Sequence, residues 1–193
     1  MTPPSLNEIA RKVEAAAKGK GWSIGQAADL GSAAAWLSAQ GIDGIPASLA
    51  AINEPQAEHS NTIAQSITAI DAALANGDRS AKIPPILQPL VLLGLCGWAA
   101  TQSAKTFSLT GQIRAEIKAT SLSFGPDFAP NETGIHLCAR SDDTARKTSR
   151  QRTPPDSKAW DEISALASRI LVPSTEASRA FGAGEGGRES ETF

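Results

Sequence analysis

Lys105-Thr106-Phe107-Ser108-Leu109-Thr110-Gly111-Gln112-Ile113-Arg114-Ala115-Glu116-Ile117-Lys118 decides the fold class. Ile113, Ala115 and Ile117 alternate with Arg114, Glu116 and Lys118, the period of two expected of a strand with one face buried and one face wet. Thr110-Gly111 supplies the turn that folds this strand back on Lys105 to Leu109, so the stretch predicts a hairpin. Gly134-Ile135-His136-Leu137-Cys138-Ala139 predicts a further strand beyond the proline-bearing segment 125–130. Upstream, Leu90 to Trp98 lacks polar alternation and holds two glycines, which predicts a buried strand covered on both faces. A buried helix is the alternative that periodicity alone leaves open there.

Outward from this centre the pattern turns helical. Ser5 with Glu8 forms a capping box before Leu6, Ile9 and Val13, predicting a helix over about residues 5–18 that stops at Gly19 and Gly21. Ser23 with Gln26 repeats the box. The helix that follows carries a small-residue face of Ala27, Ala28, Gly31, Ala34 and Ala35, then Trp36 and Leu37, and ends at Gly41. Pro46 is suited to begin a short third helix. Ser60 or Asn61 opens a fourth, with Ile63, Ile67, Ile70 and Leu74 on one stripe before Gly77. Towards the end, Asp156 or Ser157 caps a helix patterned by Trp160, Ile163, Leu166, Ala167 and Ile170. Pro173 breaks it before a short helix over Ser174 to Phe181 with a glycine-rich end.

The expected architecture is a single α+β domain over residues 1–184. Residues 1–77 are helical, residues 78–140 are strand-rich and folded as a mostly antiparallel sheet, residues 141–155 form a basic loop, and C-terminal helices over 156–184 pack on the sheet. Residues 185–193 are expected to form a flexible tail.

Of the 193 residues 41% are hydrophobic and 20% charged, with a net charge of -2. That composition supports a globular core and lacks the positive field that drives nucleic-acid affinity, so no nucleic-acid partner is expected. The apolar run from Leu90 to Ala100 is about half the ~20 residues a membrane span requires, and no membrane partner is expected. No secretory pattern opens the chain, which points to the cytoplasm. Cys96 and Cys138 are too few for a disulfide framework.

Candidate chemistry is sparse. His136 and Cys138 stand two apart on a predicted strand and therefore project to one face, the arrangement a His-activated thiolate or a ligand pair requires, although a core thiol beside a hydrogen-bonded histidine has the same spacing. Ser174, Thr175 and Arg179 stand at the last helix, and the glycine-rich stretch 182–187 that follows offers backbone amides to an anion with charge from Arg179 and Arg188, although a mobile tail has the same composition. His136, Cys138, Ser174, Thr175 and Arg179 are the candidate ligand site. No metal site is expected, no cofactor is indicated, and the four tryptophans read as structural anchors.

Ser5-Leu6-Asn7-Glu8-Ile9, Gly21-Trp22-Ser23, the helix Ala33 to Gly41 ending in Gly41-Ile42-Asp43-Gly44, and Val172 to Arg179 with Gly182-Ala183-Gly184 resemble an uncharacterised family of bacterial, chiefly proteobacterial, proteins of about this length. The resemblance runs nearly end to end and implies bacterial origin without a reaction. The N-terminal third is also similar to the helical opening of the malate, lactate and sulfolactate dehydrogenase family. Gly41, Ile42 and Asp43 match the start of that family's Gly-x-Asp-Ser-His-Gly motif, with Gly44-Ile45 in place of Ser-His. The first resemblance is compatible with an accessory or binding protein for a small metabolite or a protein partner, and the small-residue helix face supports a homodimer as easily as packing within the chain. The second implies a small NAD-dependent enzyme acting on an organic acid.

Overall fold

The computed structural model describes residues 3–54, 62–76, 81–111, 114–124, 134–141 and 154–170. Helix α1 (Leu6–Gly19) begins where the Ser5 hydroxyl accepts from the Glu8 amide, and α2 (Ile24–Ala39) begins where Ser23 accepts from Gln26. Both end alike. Gly21 and Gly41 adopt φ of 90° and 77°, and the next amides, Trp22 and Ile42, donate back to the carbonyls of Ala17 and Leu37. This reversal requires a residue that tolerates the left-handed region, which is why glycine terminates each helix.

Helix α3 (Ile45–Ile52) carries Pro46 in its first turn. Its start is tied by Asp43, whose Oδ1 accepts from the Ile45 amide at 3.0 Å. Helix α4 (Thr62–Asn76) is anchored by Glu54, which accepts from both the amide (3.0 Å) and the hydroxyl (2.8 Å) of Thr62. A carboxylate suits a helix N-terminus because the exposed amides there carry partial positive charge.

The sheet comprises β1 (Ala81–Ile83), β2 (Lys105–Gly111), β3 (Ala115–Lys118), β4 (Ser121–Phe124) and β5 (Ile135–Ser141), ordered β1-β5-β2-β3-β4 and antiparallel throughout. The fold is therefore α+β. Alternation sets its two faces. Phe107, Leu109, Ala115, Ile117, Leu122, Ile135, Leu137 and Ala139 point inward and are buried. Thr110, Glu116, His136 and Arg140 point outward and are exposed. A hairpin is present as β2 and β3, with Ala115 and Ile117 on the inner face, but Thr110 and Gly111 continue β2, paired with His136 and Ile135, instead of forming its turn; Ile113 lies outside the described residues.

The apolar run at 90–98 is not the strand its composition suggested. It is helix α5 (Pro89–Ser103), begun by Pro89 and packed between α2 on one side and β2 and β3 on the other. Being covered on both sides removes the polar stripe that marks an amphipathic helix. Its two glycines are packing notches rather than strand punctuation. A Cβ on Gly94 would stand 2.8 Å from the Ala33 carbonyl oxygen, and one on Gly97 would run into the Trp36 ring.

Helices α4 and α5 cover the inner face of the sheet, α2 lies on α5, and α1 lies on α2. A close crossing at Gly31, whose Cβ would meet the Ala10 carbonyl oxygen at 2.5 Å, uses the small-residue face of α2 inside the chain. Helix α6 (Ser157–Ala167), capped by Asp156, joins this helical layer and continues into a 3-10 turn, Ser168–Ile170. Its contacts are with α1 and α3, rather than directly with the sheet as the sequence suggested. Lys12 on α1 sits 4.3 Å from the centre of the Trp160 ring on α6. Among the described residues, no helix is long and apolar enough to cross a membrane.

Candidate functional site

Helices α2, α4 and α5 are unusual in their charge content. Helix α2 has Asp29 as its one charged residue, α4 has Asp71, and α5 has none. Both carboxylates line the same groove. Helix α5 contacts α2 and α4 extensively while those two scarcely meet each other, so a cleft opens above α5. Its volume is about 240 Å³. Ile67, Ile70 and Leu74 from α4, with Leu95, Trp98 and Ala99 from α5, form its apolar lining; Gln102 and Ser103 close it at the C-terminal end of α5.

Electrostatics marks Asp29. Partial burial, then repulsion from Asp71, pushes its carboxyl above the ordinary carboxylate range. Among the described residues neither aspartate forms an ion pair with a lysine or arginine. Trp98, 37% exposed, leaves part of its indole open to solvent, unlike the buried Trp22 and Trp36. An apolar wall with a few converging polar groups is the usual make-up of a small-molecule site.

The residues singled out from sequence lie elsewhere. His136 and Cys138 share a face of β5 as their spacing required, and that face is the outer, solvated side of the sheet. His136 stands between Lys82 and Thr110, and Cys138 lies opposite Ser108. Among the described residues no group of three His, Cys, Asp or Glu side chains is placed to hold a metal ion. Ser174, Thr175 and Arg179 lie outside the described residues, as do the glycine-rich stretch 182–187, Arg188 and the greater part of the basic loop over 141–155.

Asp43 has a structural task in the Gly41-Ile42-Asp43 motif. Besides capping α3, its Oδ2 accepts from the Asp156 amide at 2.6 Å, so one side chain fixes the starts of α3 and α6. Gly41 forms the α2 terminus, and a Cβ on Gly44 would come within 3.1 Å of Ala34.

Residues 4–83 match the model of a family described as a protein of unknown function (DUF3726). The match covers less than half of the chain, spans α1 to α4 and β1, and so includes both groove carboxylates but not α5. No curated protein and no solved structure matches the chain.

Sequence reasoning passed over Asp29 and Asp71 and read Trp98 as a structural anchor, whereas the structure leaves it 37% exposed. The available signal was a lone carboxylate in each of two otherwise uncharged helices, with a tryptophan in a third that carries no charge at all. A charge surrounded by small and apolar neighbours is costly to bury and stands at a boundary between core and solvent.

Proposed function

We propose that the protein is a binding protein of the bacterial cytoplasm whose site for a small molecule is the groove between α2, α4 and α5. The observation that carries this reading is the cleft itself, apolar along α4 and α5 and polar at Asp29, Asp71, Gln102 and Ser103. Its volume lies below the roughly 300–1,000 Å³ of drug-sized sites, which fits a metabolite of few heavy atoms. The small-residue face of α2, which from sequence suits a homodimer or packing within the chain alike, meets α1 at Gly31 and Gly44 at Ala34. The groove therefore carries the binding reading without a second copy.

The test fills the cleft. Ala99 lines the groove floor and is half-buried, so Ala99→Leu extends a side chain into the space a ligand needs. In a thermal-shift screen of small metabolites, members that raise the melting temperature of the parent chain are expected to lose their effect on the Leu variant. Stabilisation that persists in a folded Ala99→Leu protein places the ligand elsewhere and removes this reading.

A further inference from the structure

The cleft also specifies a ligand class. Every charge on its lining is negative: Asp29 and Asp71 are carboxylates, and the remaining lining residues are neutral. Neither is neutralised by a lysine or arginine among the described residues. Two carboxylates close enough to repel, set beside apolar side chains, form an environment that a positive charge improves and a negative charge worsens. Trp98 adds an aromatic side chain to the same lining, and indole is the aromatic group with the strongest attraction for cations. An organic acid, the ligand implied by the dehydrogenase resemblance, would bring a third negative charge to this position.

We infer that the groove selects a small organic ammonium ion, its apolar body laid along Ile67, Ile70, Leu74 and Leu95 and its positive end held between Asp29 and Asp71 beside the Trp98 ring. This inference rests on the groove being the binding site. It adds that recognition has two components. The apolar wall supplies affinity that any alkyl chain shares, and the aspartates distinguish amine from alcohol and alcohol from acid. Binding also places a positive charge between carboxylates that repel each other in the free protein.

Calorimetric titration of the full chain at neutral pH with hexylammonium, 1-hexanol and hexanoate separates these components, since the three probes share one alkyl chain. Hexylammonium is expected to bind at least about tenfold more tightly than hexanol, the ratio that 1.4 kcal/mol corresponds to, with hexanoate weakest. Asp29→Asn and Asp71→Asn each bring hexylammonium down towards hexanol and leave hexanol unchanged. Equal affinity for amine and alcohol, or amine affinity indifferent to both substitutions, overturns the ammonium inference while the groove stands. Failure of all three probes to bind overturns the ammonium site, and the Ala99→Leu screen then decides the groove reading separately.

Discussion

Asp29 occupies a position that no helix-forming preference explains. Every other residue of α2 is uncharged, and the helix is covered by α1 on one side and α5 on another. Burial and the nearby Asp71 raise its carboxyl, so over the window between the ordinary and the raised value the native state keeps a proton that the unfolded chain has released. Stability from this residue is thus present at acid pH and lost as the pH climbs through the raised value. Asp29→Asn removes the effect. Its melting temperature is expected to exceed that of the parent at neutral pH, with the gap closing as pH falls through the window. A variant less stable than the parent at neutral pH contradicts the electrostatic description. The same substitution is expected to weaken ammonium binding, and opposite signs in stability and affinity distinguish a ligand-binding carboxylate from a structural one. Asp29 and Asp71 were visible in the sequence as isolated charges, but their meeting was not, because it depends on how α2 and α4 diverge across α5.

Helix α5 is the element on which sequence and structure diverge. A run of apolar residues with two glycines has no internal period to reveal its conformation, and only the surfaces that cover it on both sides decide. Gly94 and Gly97, three apart, lie on the helix face against α2. Trp36 cannot yield easily at Gly97, because its indole N–H donates to the Ala119 carbonyl at 2.9 Å and ties α2 to the turn between β3 and β4. Gly97→Ala is therefore expected to cost about 1–3 kcal/mol, the usual range for overpacking, measured by chemical denaturation. A neutral effect shows that α2 and α5 are further apart than described. The other end of α5 carries Ala104 at φ 50°, a left-handed conformation in which an L side chain costs roughly 1–2 kcal/mol. Ala104→Gly relieves that strain and is expected to raise stability by about 0.5–1 kcal/mol after the added freedom of the unfolded chain is counted. Loss of stability in this variant rules out the turn from α5 into β2. By contrast, α1, α2 and α6 were readable at both ends or at their starts, since Ser5, Ser23, Asp156, Gly21 and Gly41 act through local hydrogen bonds.

Across the whole molecule, the layers run from the solvated sheet face, through the sheet, to α4 and α5, then α2, then α1 with α6 outermost. The two cysteines report on different depths of this stack. Cys96 on α5 is fully buried, and burial pushes its thiol far above the ordinary range; Cys138 is only partly buried on the outer sheet face. A thiol reagent is expected to modify Cys138 in the native protein and to reach Cys96 only when the chain unfolds. Rapid modification of both thiols contradicts the order of the layers. The α+β class and the inward face of the hairpin were legible from alternation alone. The placement of α6 was not, because an amphipathic helix shows which face it buries but not against what.

The proposed ligand site is the cleft above α5 and not the His136–Cys138 face of the sheet. A backbone-amide and indole NMR titration of the full chain with hexylammonium tests it most directly. Binding in the cleft gives saturable shifts at the Trp98 indole and along α4 and α5 around Ile70, Asp71 and Ala99. Shifts centred on His136, Cys138 and Thr110 instead, with Trp98 unmoved, would contradict it.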